Sequence, residues 1–132
     1  CALSPDEKVL YVSETVPCRL WAVDIVAPGK ITRTPGNPGR FICGPGGNQH
    51  FDSMAVDAEG NICIGTLVNG GITSVAPDGS GFEHIAFDDD LVTNICFGGE
   101  GLRTAYLTLS GSGRLIACDW PIPGLPLNFL NT

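Results

Sequence analysis

The chain has 132 residues, enough for one domain with a useful core, and a formal net charge of -7, with Lys and Arg totalling 7. No basic run of any length exists, which removes the electrostatic basis for binding nucleic acid. No apolar stretch approaches the ~18 residues that a membrane-spanning helix needs, and no signal-peptide pattern opens the chain. A cytoplasmic location is therefore the expectation. Residue 1 is Cys rather than Met, so the sequence reads as a fragment or a processed product. A cleaved bacterial lipoprotein would also begin with Cys, but an apolar strand follows here where such proteins usually carry a polar tether.

With 18 Gly and 10 Pro, long helices are excluded almost everywhere, and the short runs between turns are rich in Val, Ile, Leu, Tyr and Phe. Taken in chain order, three segments line up. Residues 2–13 are followed by 19–24, residues 55–65 by 71–76, and residues 96–108 by 113–118. Each reads as strand, polar turn, strand, short loop, strand, and the turns at 5–8, 57–60 and 98–101 hold the Gly, Pro and Asp that tight hairpins need. The units start at Ala2, Ala55 and Cys96, close to the roughly 40–50-residue period of propeller blades. Outer fourth strands are expected at 39–43 and 82–87. The fold class is all-β, about three blades of a β-propeller, with units of about 1–50, 51–92 and 93–132. An open arc exposes blade faces and sheet edges, so the chain is expected to need the N-terminal propeller half, a partner chain or self-association.

Six Cys occur at wide, irregular spacings without C-x-x-C, so a structural zinc site is not expected. Cys63, Cys96 and Cys118 lie in apolar runs and read as buried free thiols. The acidic run Asp88, Asp89 and Asp90 reads as a solvated loop, because three adjacent carboxylates cannot all face one ion. Lys30, Arg33, Arg103 and Arg114 read as ordinary surface charges.

Four stretches carry a resemblance. They are 2–6 continuing through 10–15, 51–61 (Phe-Asp-Ser-Met-Ala-Val-Asp-Ala-Glu-Gly-Asn), 93–99 (Thr-Asn-Ile-Cys-Phe-Gly-Gly) and 123–127 (Pro-Gly-Leu-Pro-Leu). In this order they resemble the senescence marker protein/regucalcin and gluconolactonase family, including its C-terminal end. The resemblance implies a six-bladed propeller, of which this chain is half, with one divalent ion on the central axis and lactone hydrolysis as a common activity. Calcium is the expected ion, with zinc, magnesium and manganese as alternatives. In the family the ion is typically held by a Glu of the first blade, one or two Asn and an Asp. Only the Asp carries over, as Asp52 in a P-D-G-M-type motif where Phe51 replaces the Pro and Ser53 the Gly. The family's Asn would precede Cys1, and its Glu belongs to the N-terminal half.

Asp52 is accordingly the candidate metal ligand and catalytic residue, a turn or cap role being the alternative. His50 is a candidate general base or pocket residue, or a loop His without a role. Ser53 and Asn94 are candidate substrate-binding residues; a turn Ser and a loop cap are the alternatives. Glu14 and Thr15 read as a solvated edge, Trp21 and Trp120 as inter-blade packing, and His84 as facing solvent from an outer strand. Cys1 reads as an N-terminal nucleophile only if cleavage exposes it, and no other feature supports that. The implied function is metal-dependent hydrolysis of lactones or related esters, acting on a small molecule and active only with the missing half. The alternatives are a non-catalytic propeller module for binding or scaffolding, and a propeller enzyme adapted to non-hydrolytic biosynthetic chemistry.

Overall fold

The computed structural model describes residues 1–128, so residues 129–132 of the third expected unit lie outside the described residues. The short apolar runs pair as three antiparallel sheets. The first contains β1 (Ala2–Leu3), β2 (Val9–Glu14), β3 (Arg19–Ala27), β4 (Lys30–Ile31) and β5 (Arg40–Cys43), with β4 and β5 both pairing with β3. The second runs in order β6 (His50–Val56), β7 (Ile62–Leu67), β8 (Gly71–Val75) and β9 (Phe82–Ala86). The third holds β10 (Val92–Gly98), β11 (Thr104–Leu109) and β12 (Arg114–Asp119), with a single 3-10 turn at Glu100–Leu102 between its first two strands. The outer strands expected at 39–43 and 82–87 are present as β5 and β9.

Equivalent hairpins are closed by different chemistry. In the first, the Ser4 hydroxyl donates to Asp6 Oδ1 at 2.7 Å and accepts from the Val9 N–H at 3.0 Å. In the second, the Asp57 carboxylate accepts from the backbone of Glu59 and Asn61 and from the Asn61 amide. Short polar side chains that satisfy nearby backbone N–H groups are what make such turns tight.

The core explains the sequence of β7. Its residues Ile62 through Thr66 are all buried, because the second sheet is covered on both faces. Ile62 and Ile64 pack with Phe51, Leu20, Tyr11 and Ile42 toward the first sheet, while Cys63 packs with Ile72, Ile95 and Leu107 toward the third. Each fully buried large side chain of this kind contributes about 1.5–3 kcal/mol. A strand buried on both faces reads as a continuous apolar run rather than an alternating one.

The two end faces of the arc stay uncovered. Phe41 on the first sheet is 52% exposed and Leu115 on the third 69%. This openness corrects several expectations. Cys96 is exposed rather than buried, since it lies on the free face of the third sheet, whereas Cys63 is fully buried. Trp120 does pack between the second and third sheets, against Phe97. Trp21 does not lie between sheets of this chain: it stacks edge-on with Phe41, and its indole N–H donates to Glu14 at 2.8 Å, so Glu14 is not a free solvated edge. His84 is turned inward, its Nδ1 lying 3.2 Å from the hydroxyl of the buried Thr73, which in turn bonds Thr66.

The acidic run is an exposed loop, as expected, but Asp89 within it has partners. Its carboxylate accepts from the N–H groups of Leu91, Gly111 and Ser112 and from the Ser112 hydroxyl, tying the β9–β10 loop to the β11–β12 turn. These bonds, the Ser112 hydroxyl foremost, hold its pKa at about 2, below the ordinary 3.8. A carboxyl depressed in the folded state adds stability above its unfolded pKa and loses that contribution as pH falls through the folded value. The thermal midpoint of the complete protein should therefore exceed that of its Asp89→Asn variant at neutral pH. The gap should close between pH about 4 and pH about 2, as measured by thermal denaturation across that range.

At the end of the arc where β6 and β10 finish, the segment 123–128 straps all three sheets. The Pro123 carbonyl accepts from Ala58, Gly124 N–H donates to Leu102, Leu125 N–H donates to Val56, and the Asn128 amide reaches the Glu7 carboxylate. Gly124 is required here, because a Cβ would sit 2.1 Å from that of Phe97. Among the described residues no helix is long and apolar enough to cross a membrane.

Candidate functional site

The opposite end of the arc, where the innermost strands β6 and β10 begin, gathers the candidate residues. Phe51 pairs with Thr66 and Met54 with Ile64, so Asp52 and Ser53 together stand opposite Gly65 alone. This is a β-bulge, which inserts an extra residue, breaks the ladder and re-aims side chains. Strand β10 has the same kind of irregularity between Val92 and Asn94. Gly65 brings the two bulges together: a Cβ on it would meet the backbone of Val92 and Thr93 at 2.8 Å, so only glycine lets β10 approach so closely.

Asp52 is half-buried, Ser53 and Asn94 are exposed, and His50 is half-buried. Among the described residues the Asp52 carboxylate receives no hydrogen bond, while its backbone carbonyl accepts from the Ser13 hydroxyl of the first sheet at 3.2 Å. Phe51 is fully buried in the core between the first two sheets. Its N–H donates to the Thr15 carbonyl at 3.3 Å, a bond that the Pro of the resembled motif could not make. His50 Nδ1 lies 3.3 Å from the Val16 carbonyl. A carbonyl only accepts, so this contact places the proton on Nδ1 and leaves the lone pair on Nε2.

Asn94 uses its side-chain oxygen to cap the Ile95 N–H at 2.9 Å and also lines an axial cavity of ≈ 590 Å³. Met54, Phe97, Leu125 and Leu127 share that lining, but His50, Asp52 and Ser53 do not. The bulge therefore sits at the rim of the arc, and the cavity runs from Asn94 toward the C-terminal strap. Sequence reasoning missed Ser13 and Gly65. A glycine inside the buried run Ile-Cys-Ile-Gly-Thr was the available signal for the second; nothing in the sequence marks the first.

Fit to a metal ion is partial. Among the described residues no three His, Cys, Asp or Glu side chains come together as a set for one ion. Asp52 offers a free carboxylate and Asn94 a side-chain amide, whereas a calcium ion takes about six to eight oxygens. The thiols are poor candidates: burial pushes Cys63 up to about 12 and Cys43 up to about 11, so both stay protonated at neutral pH.

The chain is 32% identical over 128 residues to a 6-deoxy-6-sulfogluconolactonase of Pseudomonas putida, covering 93% of this chain and 42% of that protein. Its fold matches a calcium-binding protein, regucalcin, from Agrobacterium tumefaciens with a TM-score of 0.75 at 21% identity, over 96% of this chain and 46% of the other. It also matches a periplasmic gluconolactonase of Pseudomonas aeruginosa with a TM-score of 0.65 at 12% identity, over 94% of this chain and 37% of the other. The chain thus spans less than half the length of these relatives, and its three sheets are half of a six-bladed β-propeller. Residues 1–111 match the model of the SMP-30/Gluconolactonase/LRE-like region, and the chain belongs to that family.

Proposed function

We propose that the complete protein hydrolyses small lactones or related esters with the help of a divalent cation, and that Asp52 is one ligand of that cation. The bulge at Asp52 and Ser53 carries this reading. It leaves an unshared carboxylate at the open end of an innermost strand, in a chain related to a sulfogluconolactonase. A hard cation at such a site would polarise a lactone carbonyl and acidify a water. The chain's own part is narrower. Asp52 presents its carboxylate at the rim, and His50 presents Nε2, the ring nitrogen its carbonyl contact leaves unused. Asn94 and Ser53 present an amide and a hydroxyl to orient a polyhydroxylated substrate. Calcium suits oxygen ligands best, with zinc, magnesium or manganese as alternatives.

The remaining ligands belong, in this reading, to the other half of the propeller, which would also cover the open faces around Phe41 and Leu115. A partner chain or a second copy are the other means of closure. A cytoplasmic location accompanies the reading, supported by six cysteines that are all unpaired.

Metal removal tests it. The complete protein, freed of ions with a chelator, should lose lactone hydrolysis, followed as proton release, by about 10²-fold or more, and recover it on adding back calcium or zinc. Undiminished hydrolysis by metal-free protein would overturn the metal requirement. Cation binding without lactone turnover would favour a non-catalytic module or a non-hydrolytic enzyme.

A further inference from the structure

The bulge at Asp52 is held by its own sheet only at its two ends, where Phe51 pairs with Thr66 and Met54 with Ile64. Between Phe51 and Met54 the ladder to β7 is interrupted, so neither Asp52 nor Ser53 has a register partner there. Further bonds to this segment come from the neighbouring blade, and one of them falls on the unpaired Asp52. Phe51 N–H donates to the Thr15 carbonyl at 3.3 Å, the Ser13 hydroxyl donates to the Asp52 carbonyl at 3.2 Å, and His50 Nδ1 donates to the Val16 carbonyl at 3.3 Å. Three successive residues at the start of β6 are thus bonded to the end of β2 and the turn after it. Two of these contacts use backbone atoms of the first blade that no substitution removes. On the first blade's side only Ser13 contributes a side chain, the His50 contact using the imidazole of β6 itself, and Ser13 bonds the backbone of the candidate ligand.

The geometry points to Ser13 as a positioning residue for Asp52, acting across the blade interface by fixing the carbonyl of the bulge. A bulge breaks the ladder and re-aims its side chains, so a carbonyl fixed from outside restrains the direction they take. Ser13 is half-buried, and its hydroxyl reaches a residue 39 positions away in sequence, so the bond is tertiary and not part of a local turn. This inference rests on the reading of Asp52 as a cation ligand.

The test uses the complete protein, with calcium alone as the probe, titrated calorimetrically against metal-free samples of four variants. Ser13→Ala should weaken calcium binding by about fivefold, the worth of one ordinary hydrogen bond. Ser13→Thr, which keeps the hydroxyl, should bind as the wild type does. Ser13→Val has the shape of Thr without the hydroxyl and should match Ser13→Ala, which keeps the comparison valid if alanine perturbs the interface. Thermal midpoints of the metal-free Thr and Val variants measure what the bond contributes to folding, a small loss being expected in Val. Calcium affinity at a temperature where both are folded reads the positioning role apart from it. Equal calcium affinity in the Thr and Val variants would overturn the positioning role. Asp52→Asn separates the two failures: if it binds calcium normally, the reading of Asp52 is wrong; if it abolishes binding while both Ser13 variants bind normally, only the role of Ser13 is wrong.

Discussion

Replacing Asp52 by Asn in the complete protein is expected to lower lactone turnover by at least about 10²-fold, the lower end of what a positioned acid–base group contributes, with little change in stability. The reasoning starts from what the carboxylate does not do. It is half-buried, and among the described residues it receives no hydrogen bond. Its amide analogue has nearly the same size and keeps one acceptor oxygen, so packing against the first blade is preserved. What disappears is the negative charge, which a hard cation needs and which makes the group a proton acceptor. Steady-state kinetics and a thermal scan on the same preparation separate chemistry from folding. Full turnover with full metal content in the Asn variant would remove Asp52 from the site and leave the family's activity to residues outside this chain.

How much of this was legible beforehand depends on the range of the interactions involved. The middle blade could be read directly, because Ile62 through Thr66 is buried on both faces and a continuous apolar run records that. The outer strands β5 and β9 were legible for the same reason of local patterning. Asp52 is a candidate through a motif, not through physics, since its local sequence also reads as an ordinary turn residue; the structure places it inside β6. The bulge that aims it could not be read, because it exists only as a mismatch of register between β6 and β7. The same limit hid Ser13, whose bond to Asp52 spans two blades. Cys96 and Trp21 misled because apolar residues on a propeller strand signal burial, while both lie on sheet faces that no other sheet of this chain covers. His84 misled differently: it is polar and on an outer strand but, like Asp89 in its loop, it finds partners far away in sequence.

The largest stability effect should come from Asp57→Ala, expected to cost about 2–4 kcal/mol, since three hydrogen bonds at about 0.5–1.5 kcal/mol each are lost. Asp57 is only 1% exposed, and its carboxylate accepts three hydrogen bonds within the β6–β7 hairpin. Oδ1 takes the N–H groups of Glu59 at 3.0 Å and Asn61 at 2.9 Å, and Oδ2 takes the Asn61 amide at 2.9 Å. Alanine would leave these donors without their partner and remove the charge that strengthens each bond. The consequence extends past the hairpin. Val56, Asp57 and Ala58 are the backbone on which the C-terminal strap docks through Leu125, Gly124 and Pro123, so loosening the turn also loosens the strap that joins the three blades. Asp57→Asn keeps Oδ1 for the two backbone donors and sets its amide against that of Asn61, so its cost should be intermediate. Denaturant unfolding of the complete protein should rank the midpoints wild type, Asn, Ala. Alanine falling level with wild type would mean that water satisfies these donors and that the hairpin is set by its glycine and by packing on Ile62. The ranking also bears on Asp52, which lies on the same strand: a variant that loosens this end of β6 while sparing calcium affinity would show that the bulge is held from the first blade, not from its own hairpin.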